Sequence, residues 1–125
     1  MEDNKKIVLI DFDGVLHSYQ SGWQGADTIS DPPVDEAINF LRWLYEERDI
    51  EICIYSSRSR QNGGIDAMKR WLLKCGLEQE VLDSIGFPTQ KPAAFLTIDD
   101  RCFCFKGHFP SIEYIKSFKS WYEEL

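Results

Sequence analysis

Two aspartates one residue apart, Asp11 and Asp13, come directly after the greasy run Ile7 to Ile10, and Gly14 then breaks the chain. Three further polar groups stand after or beside apolar runs: Ser56 with Ser57 and Arg58, Lys91, and the adjacent pair Asp99-Asp100. Carboxylates brought together repel one another and resist ionisation unless a cation compensates them. A hard divalent ion is the natural remedy, and Mg2+ combines one or two carboxylates with water and substrate phosphate. Zinc fits poorly, because the two histidines, His17 and His108, and the four cysteines show no zinc-ligand spacing. Each feature also has a plainer reading: aspartates in a turn bond their own backbone, and Ser56 or the Asp99-Asp100 pair could cap a turn or helix.

The elements that must position these groups alternate. Lys5 to Asp11 reads as a strand buried on both faces, since Ile-Val-Leu-Ile is a continuous aliphatic run. Residues 14–31 hold Gly14, Gly22 and Gly25 without a sustained period and read as a long loop, with 17–31 as a flap. Trp23 in that flap either packs it down or offers a lid or stacking surface. Asp31-Pro32-Pro33 supplies a cap and an early proline for a first helix carrying Val34, Ala37, Ile38, Leu41, Leu44 and Tyr45. Ile50 to Tyr55 is a second strand, ending in Ser56. A second helix comes after Gly63-Gly64, with Ile65, Met68, Leu72 and Cys75 on one face and Gly76 placed to end it. Short strands are expected at Ile85–Phe87, at Phe95–Ile98 running into Asp99-Asp100, and at Cys102–Phe105. A closing helix from Ser111 is marked by Ile115, Phe118, Tyr122 and Leu125. Trp43 and Trp71 fall within helices as packing residues. Such alternation argues for a mostly parallel α/β sheet with helices on its faces and a ligand site beyond the C-terminal strand ends, where the polar residues gather.

Composition narrows the remaining choices. The 125 residues fit one domain, 1–125, and 43% hydrophobic residues supply a core. The start is charged rather than signal-like, and no apolar stretch approaches the ~20 residues of a membrane span, so a cytoplasmic protein is expected. Cys53, Cys75, Cys102 and Cys104 form no CxxC pair and read as reduced structural thiols. A net charge of −7 excludes broad duplex binding, although a local basic patch at a site remains compatible with it. A monomer or weak homo-oligomer is expected.

The ordered set Asp11-Phe12-Asp13-Gly14-Val15, Ser56, Lys91-Pro92 and Ile98-Asp99-Asp100 resembles the haloacid dehalogenase superfamily of phosphotransferases from Ile7 to about Arg101. The Ser-Ser-Arg and Asp-Asp-Arg runs look closest to small phosphatases, including phage-type proteins and the phosphatase domain of polynucleotide kinases. The resemblance implies a three-layer Rossmann-like fold, helices on both faces, and a Mg2+-dependent phosphatase. It makes Asp11 the nucleophile, Asp13 the acid and base, and Ser56 and Lys91 the groups that hold phosphate and offset charge. Ser57 becomes a substrate contact and Arg58 a substrate contact or a solvated charge, while Asp11, Asp99, Asp100 and the backbone carbonyl of Asp13 become metal ligands. Arg60 and Arg101 are solvated charges or further substrate contacts, and His17 is an ordinary loop residue or a neighbour of the leaving group. Two departures stand out. Lys91 precedes Asp99 too closely for a regular crossover helix, which needs ten or more residues, so another lysine could serve. There is also no room for a large cap, which leaves an open site fit for a small phosphate ester or a nucleic-acid end. A non-catalytic phosphate-binding module is the alternative, though it has no need of Asp13. A response-regulator receiver is disfavoured by order, since its acidic pair comes first.

Overall fold

The aliphatic run after Lys5 forms β1 (Lys6–Ile10), and the computed structural model describes residues 5–124 around it. Strands β2 (Ile50–Ile54) and β3 (Leu96–Ile98) flank β1, both parallel to it, in the order β2-β1-β3. The 85–87 segment contributes a single bridge from Gly86 to Cys53, sealed by Gly86 N–H to Ile52 O and Ile54 N–H to Gly86 O, both 2.9 Å. It is the remnant of a further strand beyond β2.

Register sorts the side chains. Val8, Ile52 and Leu96 share one face with Ile10, Ile54 and Ile98, while Leu9, Cys53 and Thr97 share the other. The first face meets α1 (Ala37–Tyr45), α2 (Gly64–Lys74) and α3 (Gln79–Ser84) in one core. Its buried members include Val8, Ile10, Phe12, Leu41, Ile54, Met68, Trp71, Leu72 and Leu82.

The chain therefore has the expected α/β class, a parallel sheet with helices and no cap. It differs in how the second face is covered. Among the described residues the last leg, from the Gly86 bridge to β3, runs through 87–95 without a helix, too short to lay one across the sheet. The expected helices on both faces thus reduce to one helical layer, and Lys91 and Tyr55 lie over Leu9 and Thr97 instead.

Local departures have local causes. The first helix starts at Ala37, after Glu36 takes a left-handed conformation (φ 70°), and Asp31 does not cap it. The Asp31 carboxylate instead accepts from the Ser21 amide and hydroxyl, both at 2.7 Å. Trp43 is 54% exposed rather than packed, whereas Trp71 is buried and donates to the Asp31 carbonyl at 3.1 Å. Cys102–Phe105 is exposed and forms no strand. The closing segment is broken: α4 (Ile112–Ser117) ends where Phe118 becomes extended, and a 3-10 turn follows at Trp121–Glu124. Leu125 lies outside the described residues.

Two glycines in α2 and its end make different demands. Gly76 (φ 101°) terminates α2 as the spacing predicts, its N–H bonding Leu73 O, with open space around it. At Gly64 a methyl group would overlap the Arg58 carbonyl, because the first turn of α2 lies directly on the loop after β2. Gly64→Ala is expected to destabilise the fold by about 1–3 kcal/mol as overpacking against fixed backbone. Gly76→Ala should cost about 1 kcal/mol, from φ alone. Urea denaturation of the two variants checks the order.

Candidate active site

The C-terminal ends of the three strands bring the acidic residues together. Asp11 follows β1, and its N–H donates to Ile98 O at 2.9 Å, so the β1–β3 ladder continues to the point where Asp99 and Asp100 begin. One carboxylate oxygen each of Asp11, Asp99 and Asp100 lies within 4.8 Å of the others. Gly14 (φ 84°) makes this approach achievable, since a methyl group there would collide with the Asp100 carboxylate. The Asp11 carboxylate accepts from the Phe12 amide at 2.8 Å, and Asp99 accepts from the Arg101 amide at 2.9 Å.

Electrostatics follow from that crowding. Asp11 is pushed up from 3.8 to about 8, first by burial, then by its hydrogen bond with Asp100 and the charge of Asp99. Three carboxylates of this kind form a hard-oxygen donor set, and they fit Mg2+ by that chemistry. A Mg2+ ion held there would supply the positive charge that the cluster lacks.

Ser56, Ser57 and Lys91 join Asp11 and Asp99 around a cavity of about 180 Å³ on the Leu9–Thr97 face. The shortened approach to β3 thus delivers Lys91 to the same crevice as the nucleophile candidate. Ser56 is buried; its hydroxyl accepts from the Arg58 amide at 3.1 Å, and its own amide donates to the Ser59 hydroxyl at 3.0 Å. The amide is thus engaged within the loop, while the residue itself lines the cavity.

Asp13 is placed apart from the carboxylate cluster. Its carboxylate accepts from Arg58 Nε at 2.9 and 3.2 Å and from a terminal Arg58 nitrogen at 3.0 Å. His17 completes the set, with Nδ1 2.9 Å from Asp13. Because His17 Nε2 accepts the Asp31 amide at 3.1 Å, the hydrogen-bond network assigns the ring proton to Nδ1, which donates to Asp13.

Arg58 departs from the substrate contact expected of it. The residue is 0% exposed, and its other terminal nitrogen donates to the carbonyls of Gly25, Ala26 and Thr28 at 2.8, 2.9 and 3.1 Å. Trp23 covers the guanidinium at 4.9 Å, so the flap is packed onto the body through Arg58. Arg101 reaches Tyr122 and Glu123 at 3.2 and 3.3 Å. The partner missed from sequence is His17. Its signal is the four-residue spacing from Asp13, closed by a tight turn in which the Leu16 and His17 amides bond Phe12 O.

A parallel α/β sheet without a cap, carrying Asp-x-Asp at the end of its central strand and an acidic pair at the end of its neighbour, defines a haloacid-dehalogenase-type domain. A sequence model of the family described as HAD domain in Swiss Army Knife RNA repair proteins matches residues 7–94, and the chain belongs to that family. Membership implies a phosphatase-type hydrolase, in a superfamily that generally uses Mg2+. No curated protein and no solved structure matches the chain. Asp99 and Asp100 lie beyond the matched residues, and the fold returns them to Asp11.

Two outcomes are expected of this arrangement. Arg58→Lys keeps the charge but lacks the fork that binds Asp13 and the flap carbonyls together. Its catalytic rate should fall by about tenfold or more, in line with the cost of misplacing a reacting group. Cleavage of the 17–31 flap by protease should quicken in parallel; single-turnover kinetics and timed proteolysis check both. The second concerns pH. Below about pH 4 Asp11 is protonated in folded and unfolded chains alike, and as pH rises towards 8 the unfolded chain releases that proton first. The metal-free fold therefore loses this contribution to stability between about pH 4 and pH 8. Melting temperatures across that window should fall further for the wild type than for Asp11→Asn, and Mg2+ at pH 8 should restore the difference.

Proposed function

We propose that the chain is a Mg2+-dependent phosphatase that hydrolyses a phosphate monoester through an aspartyl-phosphate intermediate, with a phosphorylated RNA end as substrate. The observation that carries this reading is that Asp11 and Asp99 share one crevice with Ser56 and Lys91 at the C-terminal strand ends, with Asp100 within 4.8 Å of both aspartates. Mg2+ held by Asp11, Asp99 and Asp100 would offset phosphate and nucleophile charge. A carboxylate oxygen of Asp11 attacks phosphorus, and the P–O bond to the substrate alcohol breaks. Asp13 gives its proton to the departing oxygen. In the second step water attacks the phosphorus of the aspartyl phosphate, the proton of that water returns to Asp13, and Asp11 is regenerated. Arg58 and His17 donate to the Asp13 carboxylate and hold it in one orientation. The Ser56 hydroxyl and the Lys91 ammonium contact the phosphoryl oxygens, and Ser57 lines the same crevice.

RNA enters the reading from the family's role in RNA repair and from the absence of a cap, which lets a large phosphorylated chain reach Asp11. A small phosphorylated molecule fits the same crevice and belongs in the same assay. No helix among the described residues is long and apolar enough to cross a membrane, and all four cysteines are free thiols. A reducing, cytoplasmic setting suits the free thiols, and the chain is proposed to act as a monomer or weak homo-oligomer.

Phosphate release from small esters and from a 3′-phosphorylated oligoribonucleotide, with Mg2+ or with chelator, tests the proposal. Asp11→Asn should reduce release to background while keeping the wild-type circular dichroism. Asp13→Asn should slow turnover by about 10²–10⁴-fold. Chelator should abolish release and Mg2+ restore it. Full activity in Asp11→Asn would remove the nucleophile assignment, and phosphate binding without any release would make the chain a binding module.

A further inference from the structure

Residues 101–121 lie beyond the family match, and α4 within them buries no residue. In a chain of net charge −7 this stretch carries Arg101, Lys106, Lys116 and Lys119 against one carboxylate, Glu113. It also leaves Phe103, Phe105, Phe109, Tyr114 and Trp121 exposed, Phe109 by 86%. Aromatic rings left in water along one segment are unusual unless a partner covers them. The rings are already arranged in pairs: Phe105 and Phe109 have centroids 4.8 Å apart, and Phe103 meets Tyr114 edge-on at 5.7 Å. Beside them a cavity of about 240 Å³ is lined by Arg101, Phe103, Tyr114 and Phe118. That is below the ~300 Å³ at which drug-sized pockets begin, a scale for one small ring system.

Both ends of the segment are tied to the reaction centre. The Arg101 amide donates to Asp99, and the Trp121 indole donates to the Gly14 carbonyl at 2.7 Å. Resting on the phosphatase reading above, we infer that residues 101–121 form a stacking platform for a single-stranded polynucleotide whose phosphorylated end enters the Asp11 crevice. Base faces stack on exposed rings whatever the sequence, and lysines between the rings neutralise the phosphates. The acidic remainder of the surface repels the strand and confines it to this path. A second copy of the chain fits less well, since a two-fold contact of platform on platform sets the same lysines against one another.

Fluorescence anisotropy of a labelled oligouridylate, with and without a 3′-phosphate, tests this on the full chain. Phe105→Ala/Phe109→Ala should weaken binding about tenfold or more. Lys106→Glu/Lys116→Glu should weaken it and flatten its salt dependence. Both variants should keep wild-type circular dichroism and wild-type hydrolysis of p-nitrophenyl phosphate, a substrate too small to reach the platform. Absence of oligonucleotide binding in the wild type, or undiminished binding in both variants, overturns the inference. It is equally overturned by a dimer, seen in light scattering, that the variants dissociate without changing oligonucleotide affinity. If binding responds as expected while p-nitrophenyl phosphate is not hydrolysed, the platform stands and the phosphatase reading fails.

Discussion

A guanidinium removed from water is stable only where its donors meet acceptors and its charge meets an anion. Arg58 satisfies both conditions at once, with Asp13 on one side and the carbonyls of Gly25, Ala26 and Thr28 on the other. Three stretches far apart in sequence are fixed by that single side chain. The flap has no helix or strand of its own and takes its position from Arg58 and the Trp23 ring above it. The loop after β2 is held from the other end, since the Arg58 amide donates to the Ser56 hydroxyl and the Ser56 amide to Ser59. Orientation of Asp13, placement of Ser56 and closure of the flap are consequently one packing problem rather than three.

The Asp11 cluster obeys the opposite rule. Arg58 is committed to Asp13, and the Arg101 guanidinium to Tyr122 and Glu123, so the cation that lines the Asp11 crevice is Lys91. Two aspartates separated by one residue thus enter contrasting environments. Asp13 is satisfied by the protein's own donors, whereas Asp11 is raised to about 8 by burial and by its acidic neighbours. Burial and acidic neighbours keep Asp11 protonated at neutral pH in the metal-free chain, so a nucleophilic role for Asp11 would require a cation at the cluster.

What could be read from the sequence was what depends on local pattern. The buried runs of β1 and β2, the α2 face with its Gly76 stop, and the gathering of Asp11, Ser56, Lys91 and Asp99-Asp100 at strand ends follow from aliphatic continuity, helical spacing and parallel topology. What depends on distant partners was not legible. An arginine just after a strand reads as a substrate contact or a solvated charge, and nothing near Arg58 in the chain announces that the carbonyls of 25–28 will enclose it. Asp31-Pro32-Pro33 has the composition of a helix start, but Ser21 and His17 claim Asp31, and the helix begins at Ala37. The six residues of α3 are too few to establish a period, and the pattern from Ser111 is real as far as Ser117 but interrupted by extended backbone at Phe118.

The brevity of 87–95 shapes the site more than any single residue does. A crossover helix would cover the second face of the sheet and set the lysine at a distance from β3. Without one, Lys91 arrives in the crevice directly, while Phe95 is left 69% exposed and β3 is only three residues long. That strand pairs along one edge, held at its start by Phe95 N–H to Ile7 O and at its end by Asp11 N–H to Ile98 O, both 2.9 Å. The repulsion among Asp11, Asp99 and Asp100 therefore acts across the junction of β1 with the least supported strand of the sheet. A cation held by these carboxylates would join the two strands, and its binding free energy would then also be folding free energy for β3. The same truncation that brings Lys91 into the crevice thus sets the repulsion of three carboxylates against the shortest strand of the sheet.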